Sequence, residues 1–395
     1  MTGPLAGIKI VDLSVAISGP LAVGILADQG AEVIKVEQPG IGDIARFVGV
    51  AHNGISAMFQ IANRGKRSVV LDLRDARAIE VLRDMCRDAD VFVQNFRPGV
   101  AERMGIGYHD VRALRSDIVY VSVSGFGDTG PLAHKRVYDN VVQAQSGLTY
   151  TQSDPTTGEP QFMRQLAADK ITSLTAAQAI SAALFARERG RGGQLIRLAM
   201  LDAAIAFVWV DCAGNETLLD NTSGRPSSAA GTMSLMRLAD GFATATPLAD
   251  SEFHGLCRAF GIDSSDPDLA TIGDRMGNQD KLRAALRQVN AVAATTPLAD
   301  AMARMEANDV PCGVAVPVQQ LPHDPQVRAN GLLSETMHPA LGRVQQTRTP
   351  AVFSGTPAQH GPHAPTLGQH TDEVLRELGL DDARISALRA DKVVA

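Results

Sequence analysis

The chain has 395 residues, of which 45% are hydrophobic and 20% charged, a length that suggests two domains and a composition that weighs against disordered, collagen-like and mini-protein classes. Its formal net charge of −6 weighs against a general binder of nucleic acid or of anionic membranes, which needs a surplus of Lys and Arg. An anionic ligand must therefore meet a local basic cluster.

In chain order, short β-branched runs at residues 8–13, 32–37, 68–73, 90–94, 118–124 and 194–198 alternate with helical patterns such as residues 21–29 and 75–87. That rhythm predicts an α/β fold with a mostly parallel sheet, and ligands in such sheets sit at the carboxyl ends of the strands. Residues 150–161, YTQSDPTTGEPQ, read as a surface loop. From Asp169 onward, Ile171, Leu174, Ala177, Ile180 and Leu184 recur at helical intervals. Residues 221–231, NTSGRPSSAAG, read as a linker to a second domain. The second domain opens with a hairpin at 235–246 that turns at Asp240-Gly241, a dipeptide that accepts positive φ. Another strand is expected within 310–316, and a final helix from near Thr371 to Gly379, with a cap signal at each end. The expected organisation is a large domain over 1–220, a small domain over 225–325, and a segment over 326–395 that returns to the large domain.

Cys86, Cys212, Cys257 and Cys312 are widely spaced, with no C-x-x-C pair and no zinc pattern, so they read as reduced, buried thiols and no metal site is expected. MTGPLAGIKIVDLS lacks the basic and apolar regions of a secretory signal, and the longest apolar run, Ala203 to Val210, is too short for a bilayer. The expected address is the cytoplasm, with no membrane and no nucleic acid as partner.

Several loops carry possible chemistry. GFGDTG at 125–130 matches G-x-G-x-x-G after a strand, but Asp128 would sit inside the pyrophosphate cradle and no second βα unit ends in an acid about 20 residues on. The first βαβ unit does end in Glu37, yet the loop SVAISGP lacks the glycine triplet. Nicotinamide binding is therefore a minor reading. Asn63 to Arg67, NRGKR, is either a solvated loop or a polyphosphate site, and Lys135-Arg136 is a second cationic pair weighed the same way. RERGRGG at 187–193 reads as a helix-to-strand turn. NFRPG at 95–99 is either a plain turn or an amide and an aromatic presented to a ligand. Asp169 stands at a helix N-terminus, where it can be an N-cap or a nucleophile whose ionised form the helix dipole favours.

Taken together, GIKIVDLSVAISGPLAVGILADQGAEVIKVEQPGIGD, NRGKRSVVLDL, NFRPG, ERMGIGY, VYVSVSGFGDTGP, YDNVVQAQSGL, AADKITSLTAAQAI, RGRGGQ and AMLDA, followed by LADG, VPCGVAV, DPQVRA and APTLGQHTDEVL, resemble the class III CoA-transferases, the family of formyl-CoA transferase, carnitine CoA-transferase and α-methylacyl-CoA racemase. The resemblance implies a large Rossmann-like domain, a smaller α/β domain and an interlocked homodimer. It implies an acyl-CoA:carboxylic acid CoA-transferase, with acyl-CoA and a small carboxylic acid as substrates and no tightly bound cofactor. Asp169, in AADK, would be the nucleophile, forming an aspartyl mixed anhydride and then an aspartyl-CoA thioester. Ala16, Ile17, Gln38, Leu71, Asp72, Leu73, Asn95, Phe96, Arg97, Arg103, Arg136, Tyr138 and Met200 would bind CoA. Ile17 and Gln38 depart from formyl-CoA transferase, where a Gln and an Arg stand, which puts formate and oxalate in doubt. A racemase on the same scaffold is the alternative, and a non-catalytic CoA-binding protein a second one. The racemase reading needs a His as second acid or base, but Tyr138 occupies that position, with His134 four residues upstream.

Overall fold

The computed structural model describes residues 3–220, 222, 227, 228, 233–358, 361 and 363–395. The chain divides into two compact units, Met1–Ser228 with Asn330–Ala395, and Ala229–Ala329. Most of the linker expected at 221–231 lies outside the described residues.

The large unit is built on six parallel strands: β1 (Lys9–Asp12), β2 (Glu32–Glu37), β3 (Arg67–Val70), β4 (Val91–Gln94), β5 (Val119–Ser124) and β6 (Leu195–Ala199). Their order across the sheet is β3-β2-β1-β4-β5-β6, so the winding reverses between β1 and β4, where Ile10 pairs with Val91 and Asp12 with Val93. That reversal opens a crevice at the carboxyl ends of the two strands. The helices are α1 (Ser18–Asp28), α2 (Ala57–Asn63), α3 (Ala76–Arg87), α4 (Asp139–Gln145), α5 (Ala167–Ala186) and α6 (Met200–Cys212).

Both faces of the sheet are covered, which is why its strands read as near-continuous apolar runs. Along β4, Phe92 joins the core formed with Leu82, Met85 and Val374, whereas Val91 and Val93 join the core formed with Leu26, Ile180 and Ala204. The alternation is the two-residue period of a strand applied to a sheet buried on both sides. Phe92 also stacks on Tyr120 with ring centroids 5.0 Å apart. Helix α1 packs tightly on its neighbour because Gly24 has no Cβ, and a Cβ there would strike the Ala62 carbonyl. Of the residues that recur at helical intervals along α5, Leu174 is exposed.

In the small unit, β7 (Met236–Arg237), β8 (Phe242–Ala245) and β9 (Cys312–Val314) form an antiparallel sheet in the order β9-β8-β7. Leu256, Val289 and Met305 from α7 (Asp250–Ala259), α8 (Gln279–Ala293) and α9 (Leu298–Ala307) pack against it. The hairpin turns through Asp240-Gly241 as a longer loop, with Arg237 paired to Phe242. Gly241 does not take positive φ there; it leaves room for Leu298 instead.

The tail supplies a hairpin, β10 (Leu333–His338) with β11 (Gly342–Thr347), then α10 (Thr371–Glu377). A second helix, α11 (Asp382–Ala390), follows where the sequence suggested that α10 was the last. Thr371 does not cap α10; its hydroxyl accepts the Val70 N–H at 3.1 Å. Leu71 forms a bridge with Val394, so the tail protects the edge of the main sheet beside β3. All four cysteines are free, Cys86 and Cys257 buried as expected and Cys212 and Cys312 only partly so. Among the described residues no helix is long and apolar enough to cross a membrane.

Candidate active site

The loop after β1 enters the crevice and is tied down almost atom by atom. Asn95, in the loop after β4, accepts the Val15 N–H at 2.9 Å and donates to the Val15 carbonyl at 2.8 Å. Ala16 takes φ 66°, a left-handed conformation that L-residues seldom adopt. Its N–H donates to Asp43 at 2.9 Å. Ile17, the residue before α1, is buried. Gly19 lies so close to Ser14 that a Cβ would collide with the serine side chain.

Asp169 faces this loop from the first turn of α5. Helix α5 begins at Ala167, with Leu166 at its N-cap, so Asp169 is the third helical residue and the N-cap reading is ruled out. The capping role falls to Asp139 at the start of α4, whose carboxylate accepts the Asp169 N–H at 3.0 Å. Gln143, one turn further along α4, donates to the same carboxylate at 2.6 Å and to the Gln165 carbonyl at 2.9 Å. These contacts join α4 to the segment that leads into α5.

Burial pushes the Asp169 carboxyl up, and the neighbouring Asp139 adds to this, to about 7; hydrogen bonds from the hydroxyl and backbone of Ser18 pull the other way. The helix dipole alone predicts the opposite direction. Desolvation outweighs it here. A carboxyl near 7 is ionised in good part at neutral pH and is far less solvated than a surface carboxylate, which suits a nucleophile.

Beside the loop lies a cavity of about 730 Å³ lined by Val15, Gln38, Asp43, Leu71, Asp72, Leu73 and Phe96, among others. It gathers, from the loops after three strands, five of the residues expected to bind CoA: Gln38, Leu71, Asp72, Leu73 and Phe96. Asn95 adjoins it through Val15. Arg97 and Arg103 are exposed in the segment after β4, and Arg136, Tyr138 and His134 are exposed in the segment before α4. Met200 lies elsewhere, in the core that includes Ala168.

The cations of the NRGKR cluster are already paired, Arg64 and Lys66 in the interior and Arg67 at a partly exposed position. Arg64 pairs with Asp28 at 2.5 Å, Lys66 with Asp12 at 2.9 Å, and Arg67 with Glu377 at 2.7 Å. Burial brings the Lys66 ammonium down to about 8. GFGDTG follows β5, one strand beyond the crevice, and Asp128 is ion-paired with Arg197 at 2.8 Å, so it does not occupy the place of a dinucleotide loop. Sequence reasoning missed Ser18, Asp139 and Asp43. Asp139 carried a visible signal in its YDN segment, whereas Ser18 and Asp43 act through contacts that no local pattern announces.

A model of CoA-transferase family III matches residues 5–371. The chain is 34% identical to a succinate–glutarate CoA-transferase of Agrobacterium fabrum, over 95% of this chain and 96% of that protein. It is 32% identical to an acetyl-CoA:oxalate CoA-transferase of Acetobacter aceti, over 97% of each. Among solved structures, a CAIB/BAIF family protein from Brucella suis superposes with a TM-score of 0.81 at 30% identity, over 96% of this chain and 100% of that one. The parallel sheet, the crevice and these likenesses agree: the chain belongs to CoA-transferase family III and is a CoA-transferase.

Proposed function

We propose that the enzyme moves CoA from an acyl-CoA to a small carboxylic acid through covalent intermediates on Asp169. The observation that carries this reading is the half-buried Asp169 carboxylate, held at the first turn of α5 against the Ser18 donors, in the crevice where such sheets bind ligands. A carboxylate oxygen of Asp169 attacks the thioester carbonyl, the C–S bond breaks, and a mixed anhydride and CoA thiolate result. The thiolate then attacks the aspartyl carbonyl, which releases the donor acid and leaves an aspartyl-CoA thioester. The incoming carboxylate repeats the sequence in reverse, and Asp169 is restored. Each stage conserves the activation of the thioester, provided that water is kept out.

The cavity lined by Gln38, Leu71 to Leu73 and Phe96 supports those residues as part of the CoA site, with Ala16, Ile17 and Asn95 close in sequence to its lining residues Val15 and Phe96 and the exposed cations Arg97, Arg103 and Arg136 as phosphate partners. The names of the relatives, which specify succinate, glutarate and oxalate, favour small dicarboxylic acids as the first acids to assay. The exposed Leu174, Phe185, Phe207, Trp209 and Val210 on α5 and α6 support pairing with a second copy, because apolar patches of this kind mark interfaces. The test is a panel of acyl-CoA donors and acids read by mass spectrometry, with Asp169→Asn and Asp169→Ala. Protein treated with acyl-CoA and then hydroxylamine should carry a hydroxamate at residue 169, and CoA transfer that persists in either variant would end the proposal. Deuterium washed into the α-position of a 2-methylacyl-CoA, with no acid required, would indicate racemase chemistry instead.

A further inference from the structure

Beneath the loop after β1 lie six ionised groups that the reaction scheme does not use: Asp12, Lys35, Glu37, Asp43, Arg46 and Lys66, none more than 4% exposed. Three anions balance three cations. Lys35 meets Asp43 at 2.9 Å, Lys66 meets Asp12 at 2.9 Å, and Arg46 meets Glu37 at 2.6 Å. Desolvation pushes the Lys35 ammonium down, but Asp43, Asp12 and Glu37 more than offset it and hold it above its ordinary value. Ion pairs in a core seldom add stability over apolar residues of the same volume. A cluster of this size calls for another reason.

Two of its members reach out of the cluster to the loop backbone. Lys35 donates to the Ser14 carbonyl at 2.9 Å, and Asp43 accepts the Ala16 N–H at 2.9 Å. Between these two anchors Val15 is held by Asn95 on both its backbone groups. Ala16 thereby stays at φ 66°, a conformation that the free chain avoids. The loop reaches α5 at the next residue, where the Ile17 carbonyl accepts from the Ser173 hydroxyl at 3.5 Å, and the hydroxyl and backbone of Ser18 come near enough to the Asp169 carboxyl to oppose its upward shift.

We propose that Lys35 and Asp43 are positioning residues for CoA transfer: their buried pair locks Ala16 in the left-handed conformation, and the lock sets Ser18 against the nucleophile. This inference rests on Asp169 as the nucleophile. Neither residue is hydrogen-bonded to Asp169, and although Asp43 borders the cavity beside the loop, it is 1% exposed; the pair acts on the nucleophile through the loop.

The test is the double variant Lys35→Met/Asp43→Leu, which leaves neither charge of the pair unpaired, followed by the same variant with Ala16→Gly. A shift of the loop by an ångström is enough to lower kcat about 100-fold, and most of the loss should fall on kcat rather than on KM for acyl-CoA. Glycine reaches positive φ without the Cβ penalty, so Ala16→Gly should return about ten-fold of the lost kcat. A purely structural role would not produce that rescue. Wild-type kcat in the folded double variant overturns the proposal, and so does a folded triple variant that regains nothing. If the double variant does not fold, Ala16→Val in the otherwise native enzyme replaces it, since a β-branched side chain resists positive φ and leaves the six ions in place; undiminished kcat there overturns the proposal. Asp169→Ala separates the two ideas. Continued transfer by that variant ends the nucleophile reading, whereas an inactive Asp169→Ala beside an unimpaired clamp variant ends only the positioning role.

Discussion

Replacing Asp139 by Asn tests how the candidate nucleophile is tuned. The Asp139 carboxylate accepts the Asp169 N–H at 3.0 Å, so the two carboxylates are close neighbours, and burial together with this like charge raises Asp169 to about 7. Two unit charges on the order of 6 Å apart, in an effective dielectric of about 40, interact by about 1.4 kcal/mol, which is about one pH unit of titration. The dielectric is taken well above that of a dry interior because Asp169 is half-buried and faces an open crevice. The nucleophile is the anion, so activity rises with pH through the Asp169 midpoint. Removing the neighbouring negative charge makes that anion easier to form. The acidic limb of kcat/KM, which reports the free enzyme, should therefore move to lower pH by about one unit when CoA transfer is followed from pH 5 to 9 at constant ionic strength. The Asn side chain still offers an oxygen to the Asp169 N–H but loses one acceptor for Gln143, at an expense of about 1–3 kcal/mol, so the melting temperature is recorded alongside. A limb that stays in place or moves upward, in a folded variant, refutes the assignment of Asp139 as the charge that tunes Asp169.

The raised Asp169 carboxyl has a consequence for stability. A group whose folded pKa, about 7, exceeds its ordinary value of 3.8 stabilises the fold fully below about pH 4 and loses that contribution as pH rises through 7. The full displacement corresponds to about 4 kcal/mol, and solvent screening at a half-buried group reduces it to roughly 2 kcal/mol. Asp169→Asn should thus melt higher than the wild type at pH 8, with little difference at pH 4, while transferring no CoA; a lower melting temperature at pH 8 counts against this account. Gly19→Ala places a Cβ on Ser14 and should destabilise by about 1–3 kcal/mol in urea titrations; an unchanged midpoint would show that the loop gives way freely. Arg46 Nη2 meets Glu37 at 2.6 Å, and this bond, with the charge of Lys35, overcomes desolvation to hold the Glu37 carboxyl below its usual range. Arg46→Met strands that carboxylate and should cost about 3–5 kcal/mol at neutral pH. The deficit should shrink in acid and in the Arg46→Met/Glu37→Gln double variant, and a deficit independent of pH would argue against a stranded charge.

Much of the architecture is legible in local pattern. The runs at 32–37 and 118–124 became β2 and β5 nearly residue for residue, because a strand buried on both faces is apolar along its whole length. Asp169 could be singled out for the same kind of reason, as a lone anion leading an apolar helix. The NRGKR cluster shows where local reading stops. Its charges look like a loop open to solvent or phosphate, yet Arg64, Lys66 and Arg67 are claimed by Asp28, Asp12 and Glu377, the last of these more than 300 residues away. The second tail helix, α11, was overlooked, and Leu174 is exposed although it fits the helical repeat, because the buried face of α5 is narrower than the apolar stripe.

The sequence by itself determined the alternation of strand and helix, the apolar faces and the residue types available for acyl chemistry, since each depends on neighbours within a few positions along the chain. Only the tertiary structure decided that Asp139, not Asp169, caps α5, that Ser18 meets the candidate nucleophile, and that Lys35 and Asp43 hold Ala16 at positive φ. Those outcomes depend on which charges become neighbours once water is removed, and the strength of an ion pair is set by distance and solvation in three dimensions, for which spacing along the chain carries no signal.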